Sequence, residues 1–177
     1  MTTEVISPSQ EKRQKIAQDI IETVDAEVSE NADFLSFRLD NELYGVQIKD
    51  VEEIRVWEQP TPIPHSPDYV KGVINLRGMI VPVIDLRSRF EIGQCDYLPT
   101  TVVLLLRSRC KETERLMGLV VDAVSDVISQ GDNELFPAVG ESHITPYLQG
   151  VLNVGDQVMS LLDTGELLNI ERILKVS

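Results

Sequence analysis

From residue 34 onward, apolar and polar positions alternate with a period of two, in runs suited to short strands. Leu35, Phe37 and Leu39 share one face of residues 34–39, Asp40-Asn41-Glu42 forms a turn, and Tyr44, Val46 and Ile48 alternate along residues 43–48. Val51-Glu52-Glu53-Ile54-Arg55-Val56 fits a short helix, a strand, or one leading into the other. Residues 59–67 are rich in proline and read as an extended loop. Residues 79–86 are almost wholly apolar, which predicts a strand buried on both faces. Pro82 inside that run demands an edge or a bulge, because proline has no N–H for a ladder. Residues 102–107, 116–121 and 158–162 complete the strand pattern, and the class expected is all-β.

Residues 1–33 follow a different period. Ser7-Pro8-Ser9-Gln10 has the composition of a capping box, and Ile16, Ile20, Ile21, Val24 and Val28 recur at helical spacing. An amphipathic helix is predicted over residues 8–28, within an N-terminal extension of residues 1–33. It either packs on its own domain or frays, or it serves as a partner-docking arm. Its acidic polar face argues against lying on a membrane.

The chain also resembles itself. Tyr44-Gly45-Val46 with Val51-Glu52-Glu53-Ile54 returns as Met117-Gly118-Leu119 with Val124-Ser125-Asp126-Val127, at an offset of 73. Tyr69-Val70-Lys71-Gly72-Val73-Ile74-Asn75 returns as Tyr147-Leu148-Gln149-Gly150-Val151-Leu152-Asn153, at an offset of 78 that holds to Asp85 and Asp163. Two similar halves are expected, around residues 34–90 and 100–170, each a small β unit. Units this small are marginal alone and should share an interface, where a groove is a natural binding place. Positions shared by both halves are expected to be structural, and those charged in one half only to be functional. Arg77, Lys71 and Arg55 are of the second kind, facing Gly155, Gln149 and Ile128.

Charge removes whole classes of function. With 29 acidic and 16 basic residues the net charge is −13, which repels phosphate backbones and anionic membranes, so no nucleic acid is expected as partner. The N-terminus lacks the basic and apolar regions of a signal peptide, and no apolar run approaches the ~20 residues of a membrane-spanning helix, so a cytoplasmic protein without direct membrane insertion is expected. Cys95 and Cys110 make neither a disulfide framework nor a zinc site. His65 and His143 are isolated in proline-containing loops, without metal-ligand spacing. No phosphate-binding glycine loop and no nucleophile elbow occurs. No catalytic residue, metal or cofactor is therefore expected, and binding remains.

Among binding candidates, Arg77 can pair with a carboxylate in a bidentate geometry, with Glu53 the expected partner; its other reading is an ordinary surface charge. Gly72 and Gly118 serve either a positive φ or close backbone approach, or simply turn and packing needs. Val51 and Val124 fit either core or groove lining.

The blocks Phe34-Leu35-Ser36-Phe37, Tyr44-Gly45-Val46 and Val51-Glu52-Glu53-Ile54-Arg55, the run from Val70-Lys71-Gly72 through Asn75-Leu76-Arg77-Gly78 to Asp85-Leu86, and Gly118-Leu119-Val120-Val121-Asp122-Ala123-Val124 closely resemble the CheW family. The resemblance spans about residues 34–170. It implies two tandem SH3-like five-stranded β-barrel subdomains packed together, with short helices, in a CheW-like domain over residues 34–177. It implies a non-enzymatic adaptor that links the chemoreceptor cytoplasmic tip to the regulatory domain of the histidine kinase CheA, at receptor arrays near the inner face of the membrane. Val51, Glu53, Lys71, Gly72 and Arg77 match family positions implicated in binding receptor or kinase, and Gly118, Val124 and Gly150 match second-half positions of the same kind. Ile48, Val51, Ile54 and Val120 would line an apolar receptor groove between the barrels. The loop over residues 133–145 matches weakly. Two rival readings are an adaptor of a non-flagellar chemosensory pathway and, more remotely, a small β-barrel ligand-binding protein or hydrolase.

Overall fold

The structure is a computed structural model that describes residues 33–93, 96–110, 113–131, 133–138, 140 and 142–169. The helix expected over residues 8–28 lies outside the described residues. Among the described residues, ten strands form two five-stranded sheets. In chain order they are β1 (Asp33–Leu39), β2 (Glu42–Gln47), β3 (Val51–Val56), β4 (Val70–Leu76), β5 (Met79–Asp85), β6 (Val102–Cys110), β7 (Thr113–Val121), β8 (Ala123–Ser129), β9 (Leu148–Val154) and β10 (Gln157–Leu162). Two 3-10 turns, η1 (Ile48–Asp50) and η2 (Thr145–Tyr147), and two one-turn helices, α1 (Leu86–Arg89) and α2 (Thr164–Leu167), complete the fold. Val51–Val56 is strand throughout, entered from η1.

The internal repeat is present in three dimensions, but its halves are not the barrels. One sheet has the order β8-β1-β2-β10-β9 and the other β3-β6-β7-β5-β4. Replacing each strand of the first half by its counterpart in the second converts one order into the other. Each barrel thus takes two strands from one half and three from the other, which corrects the expectation of one β unit per half. The cause is local: the chain leaves β2 through η1 and enters the opposite sheet as β3, and between β7 and β8 it crosses to the opposite sheet at Asp122 alone. Registers repeat too. Leu161 pairs in parallel with Gly45, and Val83 pairs in parallel with Gly118. Asp85 and Asp163 each accept from a backbone N–H three residues on and so cap α1 and α2.

This exchange explains why both faces of several strands are apolar. Along β6, Leu104 and Leu106 enter a core shared by the two sheets, together with Leu35, Phe37 and Tyr44. Val103 and Leu105 point the other way, into the second barrel with Leu76, Val83 and Val120. The first barrel has its own interior of Phe34, Leu43, Leu152, Met159 and Leu161. Each fully buried aliphatic side chain contributes about 1.5–3 kcal/mol, so neither barrel is expected to be stable without the other.

β5 is only half as expected. Its second half is buried, but Met79 and Ile80 are 48% and 66% exposed. Met79 to Pro82 pair with β4 alone, whereas Val83 to Asp85 also pair with β7. Pro82 therefore stands in a one-sided ladder, as its missing N–H requires.

The seam between the halves is held by Arg89. Its guanidinium lies 5.0 Å from the centroid of the Tyr69 ring and 5.1 Å from that of Tyr147, the two tyrosines that match in the repeat. It also donates a hydrogen bond to the Tyr147 hydroxyl. A guanidinium between two ring faces gains cation–π attraction from both.

Candidate functional site

The first candidate feature is the hairpin tip between β4 and β5. Leu76 pairs with Met79, leaving Arg77-Gly78 as a two-residue loop. Both have positive φ, 51° and 87°, as a type I′ turn requires. Asn75 fixes the turn by accepting from the Gly78 N–H at 2.8 Å. Glycine supplies such a backbone at no steric cost, whereas an L side chain there carries roughly 1–2 kcal/mol of strain. The matching tip between β9 and β10 places Gly155, φ 58°, where this one places Arg77. The first half thus accepts strain to present a guanidinium that is 76% exposed.

Glu53 is its partner, though not in the bidentate form expected. Arg77 Nη2 lies 3.5 Å from Glu53 Oε2, while Arg55 Nε donates to Glu53 Oε1 at 2.9 Å. One carboxylate is therefore divided between two arginines, because β3 places Glu53 and Arg55 two residues apart on one face. Glu53 Oε2 is buried without a hydrogen bond, and the Arg77 guanidinium approaches it at 3.5 Å. Met79 and Ile80 extend the tip into an exposed apolar step beside this charge cluster.

The other sequence candidates separate by burial. Ile48, Val51 and Val124 are half-buried and pack on the rim of the shared core. Lys71 is half-buried on β4. Ile54 and Val120, expected to line a groove, are instead buried, Ile54 in the shared core and Val120 inside the second barrel. Alternation explains this: they occupy the inward positions of β3 and β7. Gly118 is also interior, and a Cβ there would stand 2.8 Å from Val103 Cγ1. Gly72 and Gly150 lie where a strap crosses each barrel. Thr61 bridges to Val73, and Phe136 bridges to Val151. At Gly72, with φ 143°, a Cβ would collide with the Thr61 carbonyl; at Gly150 it would stand 2.8 Å from the Phe136 carbonyl oxygen. Gly72, Gly118 and Gly150 thus shape the barrels through close approach and offer no side chain to a partner.

Sequence reasoning missed the exposure of Met79 and Ile80. Their signal was the Arg77-Gly78 pair, which marks a hairpin tip immediately before them. It also missed a polar cavity of about 840 Å³ between the sheets, lined in part by Asp50, Arg107, Asp163 and Gly165. Burial holds the Asp50 carboxyl above the usual carboxylate range; the Thr164 hydroxyl and Lys49 oppose this, and Asp163 adds to it. Elsewhere burial and the acceptor Glu42 push the Tyr44 hydroxyl up, and burial does the same at Tyr69, against the pull of Arg89. His143 pairs with Glu91 at 3.1 Å. No described helix is long and apolar enough to cross a membrane.

Two strand-exchanged SH3-like barrels thus carry charge and exposed apolar surface together at one hairpin tip. The family model described as a CheW-like domain matches residues 33–172. The chain is 42% identical over 146 residues to the chemotaxis protein CheW of Klebsiella aerogenes, covering 81% of this chain and 86% of that protein. It is 33% identical over 133 residues to the chemotaxis protein CheW of Rhizobium meliloti, covering 74% and 83%. The crystal structure of the scaffolding protein TtCheW from Thermoanaerobacter tengcongensis superposes with a TM-score of 0.69 at 32% identity, covering 78% of this chain and 88% of that one. The chain belongs to the CheW-like family of chemotaxis scaffold proteins.

Proposed function

We propose that this protein is a non-enzymatic cytoplasmic adaptor that joins the cytoplasmic tips of chemoreceptors to the regulatory domain of a CheA-type histidine kinase. The observation that carries the reading is the tip at Arg77. A strained residue is kept where the matching turn uses glycine, and strain of this kind collects where function needs a particular group. Arg77, Glu53 and Lys71 supply the polar part of the contact, and Met79 and Ile80 an apolar part. Ile48, Val51 and Val124, on the rim of the shared core, suit an apolar receptor helix. The mechanism is differential binding: a receptor state that changes its contacts here shifts the kinase equilibrium.

Affinity capture from the source cytoplasm and membranes, with the full chain as bait and mass-spectrometric readout, tests the reading. Recovery of a CheA-type kinase with chemoreceptors is expected, and the kinase recovered identifies the pathway, whether flagellar, surface motility or second-messenger control. Arg77→Asp bait should lose the kinase–receptor assembly while keeping the thermal stability of the wild type. Recovery of neither partner by folded wild-type bait would reject the adaptor reading.

A further inference from the structure

The start of β1 brings the N-terminal extension to the apolar surface assigned above to a receptor helix. β1 lies between β2 and β8 in its sheet. Asp33 stands opposite Ser129, and Phe34 opposite Gln47. The chain therefore enters the sheet between Ile48, which directly follows Gln47, and Val127, which stands opposite Leu35. Ile48, Val51, Val124 and Val127 all pack on the shared core and are only half-buried. Among the described strands β8 ends one sheet and β3 the other, so no neighbouring strand covers this rim.

The sequence before Asp33 limits where the extension can reach. Its apolar stripe, Ile16, Ile20, Ile21, Val24 and Val28, ends four residues before Asp33. Four extended residues span at most ~14 Å, so the end of the stripe is held close to the rim. As a helix, Ile16 to Val28 would be about 18 Å long, enough to pass along the ~10 Å of strand from Val124 to Val127. A short tether sets a local concentration on the order of millimolar, which populates a contact too weak to hold a separate peptide. The contact would be weak. Residues 1–32 carry seven acidic and three basic residues in a chain of net charge −13, so charge opposes the docking and apolar burial favours it.

We propose that residues 8–28 fold back as an amphipathic helix on Ile48, Val51, Val124 and Val127 of their own chain, and shield that rim until a receptor helix displaces them. The shielding rests on the function proposed above; the docking does not.

The test uses the full chain with Cys95→Ser and Cys110→Ser, a nitroxide on Glu22→Cys at the polar side of the stripe, and carbon-13 methyl groups on isoleucine and valine. Paramagnetic broadening is expected at the four rim residues and should be weaker at Val158, at the opposite end of the barrel. Val24→Asp should remove it. Spin-labelled chain without carbon-13, mixed with carbon-13 chain without the nitroxide, should give none. No broadening at the rim would overturn the proposal, and so would broadening as strong in the mixture, which would place the helix on a second copy. In a second measurement, Val24→Asp should bind a soluble chemoreceptor cytoplasmic fragment at least about threefold more tightly than the wild type, and Glu22→Gln should not. Equal affinities of Val24→Asp and the wild type would overturn the shielding. Binding by neither would reject the adaptor reading, and the broadening would then decide the docking alone.

Discussion

Arg87 in one half and Gly165 in the other occupy the same place in the repeat, and so do Arg77 and Gly155. The two exchanges run in parallel. In each, the first half carries an arginine where the second carries glycine, yet the arginines have opposite fates. Arg87 is turned inward and closes an ion pair with Asp122. Arg77 is turned outward, on a strained backbone, beside a buried carboxylate oxygen that it does not hydrogen-bond. A duplicated fold thus separates stability from recognition. Arg87 is held in an internal ion pair, and Arg77, left exposed at energetic cost, is available to a partner.

The strap glycines give the largest expected asymmetry. Gly72 combines positive φ with collision of any Cβ against the Thr61 carbonyl, whereas Gly150 has the close approach without the positive φ. Gly72→Ala should cost about 3 kcal/mol or more, lowering Tm on the order of 10 °C. Gly150→Ala should cost less. Thermal denaturation of both variants measures the difference, and an equal loss would mean that the strap alone sets it.

Arg87→Ala comes next. It removes a charge-assisted hydrogen bond that is largely shielded from water, so a loss of about 2 kcal/mol is expected. Urea unfolding would show it as a lower midpoint at unchanged slope. A variant as stable as the wild type would mean that the internal ion pair contributes nothing, and the contrast with Arg77 would lose its energetic basis.

Asp50→Asn should act in the opposite direction and more weakly. The folded chain holds the Asp50 proton more tightly than the unfolded chain does. Ionisation therefore costs stability as pH climbs through the carboxylate range, and that cost is fully present at neutral pH. The variant should show a slightly higher Tm at pH 7. The advantage should vanish in acid, below the unfolded-state pKa, where the wild-type carboxyl is protonated in both states.

How far the sequence could be read follows from which periodicity carried the information. Alternation along Leu35, Phe37 and Leu39, and the repeat joining Gly45 to Gly118 and Asp85 to Asp163, define the class and the pairing of equivalent strands. The exchange of strands between halves left no local trace. A strand buried on both faces reads the same whether its neighbours come from its own half or the other, as β6 shows with Leu104 facing one core and Leu105 another. At the candidate site, Arg77 was legible as a charge confined to one half, and Glu53 as the carboxylate expected to meet it. The division of Glu53 between Arg55 and Arg77 depends on strand register and turn type together, which no short window of sequence specifies. Ile54 and Val120 were assigned to a groove because apolar character alone does not tell inward from outward.

The central claim is that Arg77 is retained for recognition against the preference of its own turn, and Arg77→Gly tests it most directly. The substitution installs the residue that the matching hairpin already uses, so it relieves strain while removing the guanidinium. Tm and assembly with a CheA-type kinase and receptor-bearing membranes should be measured on the same preparation. Stability equal to the wild type, or raised by up to ~1 kcal/mol, together with loss of the assembly is the predicted result. A destabilised variant, or one that assembles as the wild type does, would contradict the claim.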